Sequence, residues 1–183
     1  MEFGAVMPEL SREAKGQWRP MGIGDLPGVL AVAERVHPDF PEDAVVFVER
    51  LRLYPAGCLV FEARDGVIGY VLSHPWRAND PPVLNARLGE LPDRPGTYYI
   101  HDIALLPQLR GTGAASLAVA ILLARAGKER LPSVSLVAVN GSAGFWQRHG
   151  FHDISSEKVV DAALMRKLRS YETSAAFMVR ALA

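Results

Sequence analysis

The sequence predicts a mixed α/β sheet with helices on both faces, and three observations carry that expectation. Apolar runs of strand length and segments of helical period follow one another as β-α-α-β-β-β-α-β-α, with a further helix and a closing strand. Two of the runs flank "RDG", a tight-turn signal, and pair as a hairpin. Another, "TYYIHDIALL", passes through "PQLRGTG" into the alanine-rich segment "AASLAVAILLARAGKE".

Each element has its own warrant. Residues 1–16 lack a period and read as a loose segment ahead of a single domain spanning 17–183. "QWRPMGI" reads as the first strand, and "GDLPGVLAVAERV" as a helix with Asp25 as N-cap and Pro27 in its first turn. "FPEDAVVFVERLRLYP" is a second helix, with Val45, Val46, Val48, Leu51 and Leu53 as its apolar face and Pro55 as its stop. "GCLVFEA" and "VIGYVLS" form the hairpin, and a long proline-rich connection, "HPWRANDPPVLNARLGELPDRPG", follows them. Loops of that length tend to be functional or mobile. After the strand, turn and alanine-rich helix come "VSLVAV" as a buried strand and "SAGFWQRHG" as a short helix. "SEKVVDAALMRKLRS" is amphipathic, and "AAFMVRAL" closes the chain as a strand.

Composition narrows the function classes. The 183 residues carry 20 basic and 20 acidic side chains, a net charge of +0 that offers nothing to a polyanion, so neither nucleic acid nor a membrane surface is an expected partner. Hydrophobic residues make up 49% and charged ones 22%, a globular balance without any apolar run near the roughly 20 residues a bilayer span needs. The first residues do not read as a signal peptide and Cys58 is the one cysteine, which points to a reducing cytoplasm. Cys58 lies in an apolar strand and reads as a buried, inert thiol. The five histidines are scattered and no Cys/His cluster has ligand spacing, so no metal is expected.

The turn after the fourth strand is the candidate binding element. Its backbone N–H groups open a helix and have no intrahelical partners, and Gly111 and Gly113 let the chain curl and approach a ligand closely. Such a turn makes an anion-binding nest at a positive helix end, although glycine turns of purely structural purpose also precede helices. A P-loop is excluded because no Lys-Ser/Thr follows the second glycine, and the dinucleotide fingerprint lacks its third glycine.

The run "IALLPQLRGTGAASLAV" resembles the acetyl-CoA-binding motif of the GNAT superfamily of N-acetyltransferases, Gln/Arg-x-x-Gly-x-Gly/Ala, through Gln108, Gly111 and Gly113, with Pro107 also in place. Downstream, "VAVNGSAGFWQRHGF" resembles the family's strand, Asn, short helix and terminal Gly-Phe at Asn140, Ala143, Gly150 and Phe151. The resemblance implies a GNAT-like mixed, splayed central sheet of about seven strands, with acetyl-CoA as acyl donor. Pantetheine would pair with the backbone of Ile103, Ala104 and Leu105, where an N–H polarises the thioester carbonyl. Pyrophosphate would rest on the N–H groups of Leu109, Arg110, Gly111, Thr112, Gly113 and Ala114. Arg110 either adds charge there or is simply solvated. Asn140 either caps the next helix or contacts the cofactor arm.

An acceptor amine must lose a proton before it attacks, and a base of near-neutral pKa suits that step. His101 aligns with a histidine implicated in amine deprotonation in the arylalkylamine branch, which makes it the base candidate, with Tyr99 beside it; a hydrogen-bonded core histidine is the other reading. Strand alternation puts Tyr99, His101 and Ile103 on one face and Tyr98, Ile100 and Asp102 on the other, so Asp102 reads as a structural carboxylate. At the position where many members carry a tyrosine acid this chain has Trp146, whose indole donates no useful proton and which is expected to pack against cofactor or core. The acceptor is expected between "VHPDFPEDA" and the long connection, with His74, Trp76 and Arg77 lining it or forming a lid. The expected function is acetyl transfer from acetyl-CoA to a primary amine by direct attack in a ternary complex. The alternative is a non-catalytic acyl-CoA-binding module. An exposed C-terminal strand and helices would permit a homodimer.

Overall fold

The computed structural model describes residues 16–155 and 162–182. The loose segment read over 1–16 lies outside them except for Gly16, as do residues 156–161 of the helix read from "SEKVVDAALMRKLRS". Strands β1 (Gly16–Pro20), β2 (Leu59–Ala63), β3 (Gly66–Trp76), β4 (Thr97–Leu105), β5 (Ser133–Ala138), β6 (His152–Asp153) and β7 (Ala176–Ala181) form one seven-stranded sheet in the order β1-β2-β3-β4-β5-β7-β6. All neighbouring pairs are antiparallel except β4–β5. Helices α1 (Leu26–Val36), α2 (Ala44–Leu53), α3 (Ala114–Lys128), α4 (Ala143–Arg148) and α5 (Ala162–Leu168) cover the two faces, giving the expected GNAT-like α/β architecture.

The faces follow from the side-chain period. Leu26, Val29 and Val32 of α1 and Phe47 and Leu51 of α2 pack on Ile68, Tyr70 and Leu72 of β3. On the opposite face Ala118, Val119, Leu122 and Ala126 of α3 cover Tyr98 and Ile100 of β4 and Val134, Leu136 and Ala138 of β5. Leu164 and Leu168 of α5 return to the first face, against Tyr99 and Phe177. Cys58 is fully buried and burial pushes its thiol up to about 12, consistent with an inert group.

Three local expectations need correction. Asp25 does not cap α1 with its side chain; it accepts the Gly22 N–H at 2.7 Å and pairs with Arg19, closing a short turn ahead of the helix. The buried face of α2 is Val46, Phe47, Glu49, Arg50 and Leu51, while Val45 and Val48 are 47% and 40% exposed. The cause is the long connection, which docks on that face: Glu49 accepts the Leu88 and Gly89 N–H groups at 2.7 and 3.2 Å, and Arg50 donates to the Ala86 carbonyl at 2.8 Å. Finally, the closing strand β7 is not the exposed strand expected: it lies between β5 and the two-residue β6, with Ala176, Phe177 and Met178 buried.

Candidate active site

The parallel ladder between β4 and β5 runs only from Tyr98/Val134 to Ile100/Leu136. Beyond it both strands continue without pairing each other, and the gap opens into a cavity of about 570 Å³ whose walls include Ile103 and Leu105 from β4 and Val137, Val139 and Asn140 from β5 and its exit. That size suits a ligand site. The unpaired edge of β4 from His101 onward is free to take an extended amide-bearing ligand as an added strand.

At the outer end of the gap, Pro107–Leu109 forms one tight turn and Gly113, at φ 83, opens α3. The amides of Leu109, Arg110 and Thr112 donate within the turn to Leu106, Pro107 and Leu109, and that of Ala114 to the Thr112 hydroxyl at 3.3 Å. Those four are therefore spent, contrary to the phosphate contacts expected of them. Among the described residues the N–H groups of Gly111, Gly113, Ala115 and Ser116 have no acceptor, and they are the ones left for an anion. A Cβ built on Gly111 or Gly113 meets nothing within 4 Å, so the space above the turn is open. Leu109 is a core residue, Gln108 is exposed, and the Ala114 carbonyl accepts the Trp18 indole N–H at 2.9 Å.

Two histidine–carboxylate pairs stand on the opposite side of the gap. His101 Nε2 is 2.9 Å from Glu42 Oε2, and these side chains are only 2% and 7% exposed. His37 Nε2 is 3.0 Å from Asp102 Oδ1, whose other oxygen accepts the Tyr70 hydroxyl. Because an ionised carboxylate only accepts, Nε2 of each ring carries a proton, and Nδ1 is the atom with a lone pair when the ring is neutral. Both Nδ1 atoms are buried without a partner. Burial works against charging His37, but the charge of Asp102 and its hydrogen bond, with Glu42 adding, outweigh it and raise the imidazole. Burial likewise opposes ionisation of Glu42 and Asp102. The charge and hydrogen bond of His101 outweigh it at Glu42, those of His37 outweigh it at Asp102, and both carboxyls end below their ordinary range. Asn85 on the long connection steadies Glu42 by giving its backbone N–H to Oε1 at 2.9 Å.

The expected alternation along β4 fails at one point. Leu72 faces Asp102 and Ser73 faces Ile100, so His101 is the extra residue of a β-bulge. Tyr99, His101 and Asp102 therefore share the α1/α2 side, while Tyr98, Ile100 and Ile103 share the α3 side. Asp102 does not point away from His101 but joins the same cluster.

The remaining expected residues fall in two groups. His101, Ile103, Leu105, Arg110, Asn140 and Trp146 line the cavity, and Ala104 continues the open edge with its side chain in the core. Asn140 is at φ 53 and Ser142 is the N-cap of α4, which removes the capping role and leaves the cavity. Tyr99 is 1% exposed and lies beneath the cavity, hydrogen-bonded to Tyr171, which does line it. His74 and Trp76, 1% and 5% exposed, are core residues, and Arg77 lies over the Trp76 ring at 4.8 Å. The segment 36–42 supplies Val36, His37, Phe40 and Glu42 to the wall, as "VHPDFPEDA" suggested, but the roles of His37 and Glu42 were not read. A histidine followed five residues later by a glutamate, in a proline-flanked loop between two helices, was the available signal. Among the described residues no group of three or more His, Cys, Asp or Glu side chains is placed to hold a metal ion, and no helix is long and apolar enough to cross a membrane.

Solved structures share this fold at low sequence identity. A GNAT-like decarboxylase, GphF, in complex with isobutyryl-CoA superposes with TM-score 0.74 at 16% identity, covering 91% of this chain and 100% of that one. Ard1 from Thermoplasma volcanium gives 0.65 at 15%, covering 92% and 98%. Naa20 from Chaetomium thermophilum, in complex with a bisubstrate analogue, gives 0.64 at 18%, covering 91% and 86%. No curated protein matches by sequence. The profile of the acetyltransferase (GNAT) family matches residues 28–151, a span that holds the glycine turn, the splayed strands and both histidine–carboxylate pairs, and the chain belongs to that family.

Proposed function

We propose that the protein transfers an acetyl group from acetyl-CoA to a primary amine by direct attack, with His101 as the general base. The observation that carries this reading is the buried His101–Glu42 pair beside the open edge of β4. Glu42 fixes the tautomer, and Nδ1 of His101 takes a proton from the amine as its nitrogen attacks the thioester carbonyl carbon. A backbone N–H on the edge at Ile103–Leu105 polarises the carbonyl oxygen, and the free amides at Gly111, Gly113, Ala115 and Ser116 hold the pyrophosphate with Arg110 alongside. The C–S bond then breaks. A thiol pKa of about 8.5 makes thiolate a tolerable leaving group, so Trp146 at the usual acid position is no obstacle and serves as a wall. Tyr99 packs against the His101 ring and acts as a positioning residue. The setting in this reading is the cytoplasm, where acetyl-CoA and a reduced Cys58 coexist.

Thiol release from acetyl-CoA across a panel of amines tests the reading, with CoA affinity measured in parallel. A transferase releases thiol only when a suitable amine is present; a binding module holds CoA and releases none. His101→Gln is expected to keep CoA affinity and to lower kcat/KM by roughly 10²–10⁴. Undiminished turnover in that variant would remove His101 from the base role and pass it to His37, which has the same carboxylate arrangement and 18% side-chain exposure.

A further inference from the structure

A second cavity of about 510 Å³ lies behind the segment 37–42, between α1, α2 and β3. It shares His37, Pro38, Phe40, Glu42 and Asp102 with the first cavity, so the two chambers adjoin along a shared wall. Away from those shared residues its lining is Leu30 and Ala33 of α1, Pro41, Phe47 of α2 and Tyr70, with Glu34 as the one charged group. Its charged side chains are Glu34, Glu42 and Asp102, with His37 between the last two and neither lysine nor arginine among the lining residues. On the other side of the shared wall, bonded to Glu42, the 2%-exposed His101 keeps Nδ1 without a partner.

We propose that this second chamber holds the stem of the acceptor and that the acceptor is a primary amine carried on an apolar chain. The inference rests on the amine-acyltransferase reading and deepens it. An ammonium at the shared wall is attracted by Asp102 and Glu42 and reaches the base and the open edge of β4. Its carbon chain is removed from water by the apolar lining. Carboxylate-bearing acceptors are disfavoured because the three acidic groups of the lining outnumber His37, its one basic group. Polar stems leave their hydroxyls or amides unpaired against Leu30, Ala33 and Phe47.

The test uses the full chain saturated with CoA and titrated with n-alkylamines from ethylamine to hexylamine, with hexanoate as a stem-matched anion and ethanolamine as a polar amine. Affinity is expected to rise about three- to fourfold per methylene, on the order of 10² across the series, with hexanoate and ethanolamine binding far more weakly than hexylamine. Ala33→Leu is expected to cut the advantage of hexylamine over ethylamine at least tenfold. Leu30→Ala, which enlarges the chamber instead of filling it, is expected to extend the rising series to longer amines. A flat series, or hexanoate binding as tightly as hexylamine, overturns the proposal. Thiol release with acetyl-CoA separates the two readings. Chain-length-dependent binding without thiol release keeps the chamber and refutes the transferase; thiol release to amines regardless of stem keeps the transferase and refutes the chamber.

Discussion

Protonation of His74 is expected to destabilise the fold as the medium turns mildly acidic. The ring is 1% exposed, packed against Trp76, Tyr99 and His101, with Nδ1 near the Pro75 carbonyl and Nε2 buried without a partner. Burial pushes its pKa from 6.5 down to about 3, against a raising contribution from the Pro75 carbonyl and with the Arg50 charge helping. The unfolded chain therefore takes up this proton first, and stability falls with pH from the unfolded value of 6.5 toward the folded one. The full gap corresponds to about 5 kcal/mol, of which about 2 kcal/mol falls between pH 6.5 and 4.5. The other clusters leave that window nearly clean. His37 is raised, so the stability it contributes is fully present below the unfolded value and does not change there. Glu42 and Asp102 are lowered, so theirs is lost only as pH falls through the carboxylate range and below. His149, lowered by burial and by Arg148 and Arg180, is common to wild type and variant. Urea unfolding of wild type and His74→Gln at pH 6.5 and 4.5 measures the effect. The wild type should lose about 2 kcal/mol more than the variant over that interval. Equal losses in the two proteins would refute the neutral, buried assignment of His74.

Gly111→Glu should fold, since its Cβ meets nothing within 4 Å, at a backbone cost of about 1–2 kcal/mol for a side chain at φ 75, yet weaken CoA by 100-fold or more in a calorimetric titration. Glu49→Gln leaves the 1%-exposed Arg50 without its carboxylate and loosens the Leu88–Gly89 contacts; a loss of about 3–5 kcal/mol in urea unfolding and faster proteolysis between 84 and 89 are expected. Asp102→Asn removes the negative charge that raises His37, so the ring should titrate at lower pH than in wild type when followed by its NMR carbon-bound proton signals.

The fold was legible where local chemistry and global role agree. The "RDG" hairpin, the Pro107 stop, the glycine turn and the largely apolar α3 all formed near their expected bounds. It was illegible where a distant segment decides a local face. On α2 the sequence offers valines, and the structure buries Glu49 and Arg50 while exposing Val45 and Val48, because backbone groups at 86–89 need an acceptor and a donor there. No period along α2 records the needs of a loop some 40 residues away. The two-residue β6 escaped for the opposite reason, since a strand that short has no period at all.

The candidate site shows the same division, and one inserted residue accounts for most of it. Had β4 kept strict alternation, His101 and Asp102 would stand on opposite faces, and a single histidine would have reached the α1/α2 side. The bulge at His101 turns Asp102 back toward that side. The consequence extends beyond geometry. Two carboxylates buried near one another would raise each other's pKa, and two histidines would lower each other's, so neither like pair could sit there cheaply. Interleaving His37–Asp102 with His101–Glu42 places an oppositely charged partner beside each carboxylate, which is how four titratable groups are held together where side chains are largely buried. The same interleaving leaves Nδ1 of each ring without a partner, and that atom carries the lone pair whenever the ring is neutral. A bulge has no signature in an apolar run such as "YYIHDIALL". His101 could be singled out from the sequence, but the carboxylates beside it and the second histidine emerge only when the strand is seen to slip by one residue.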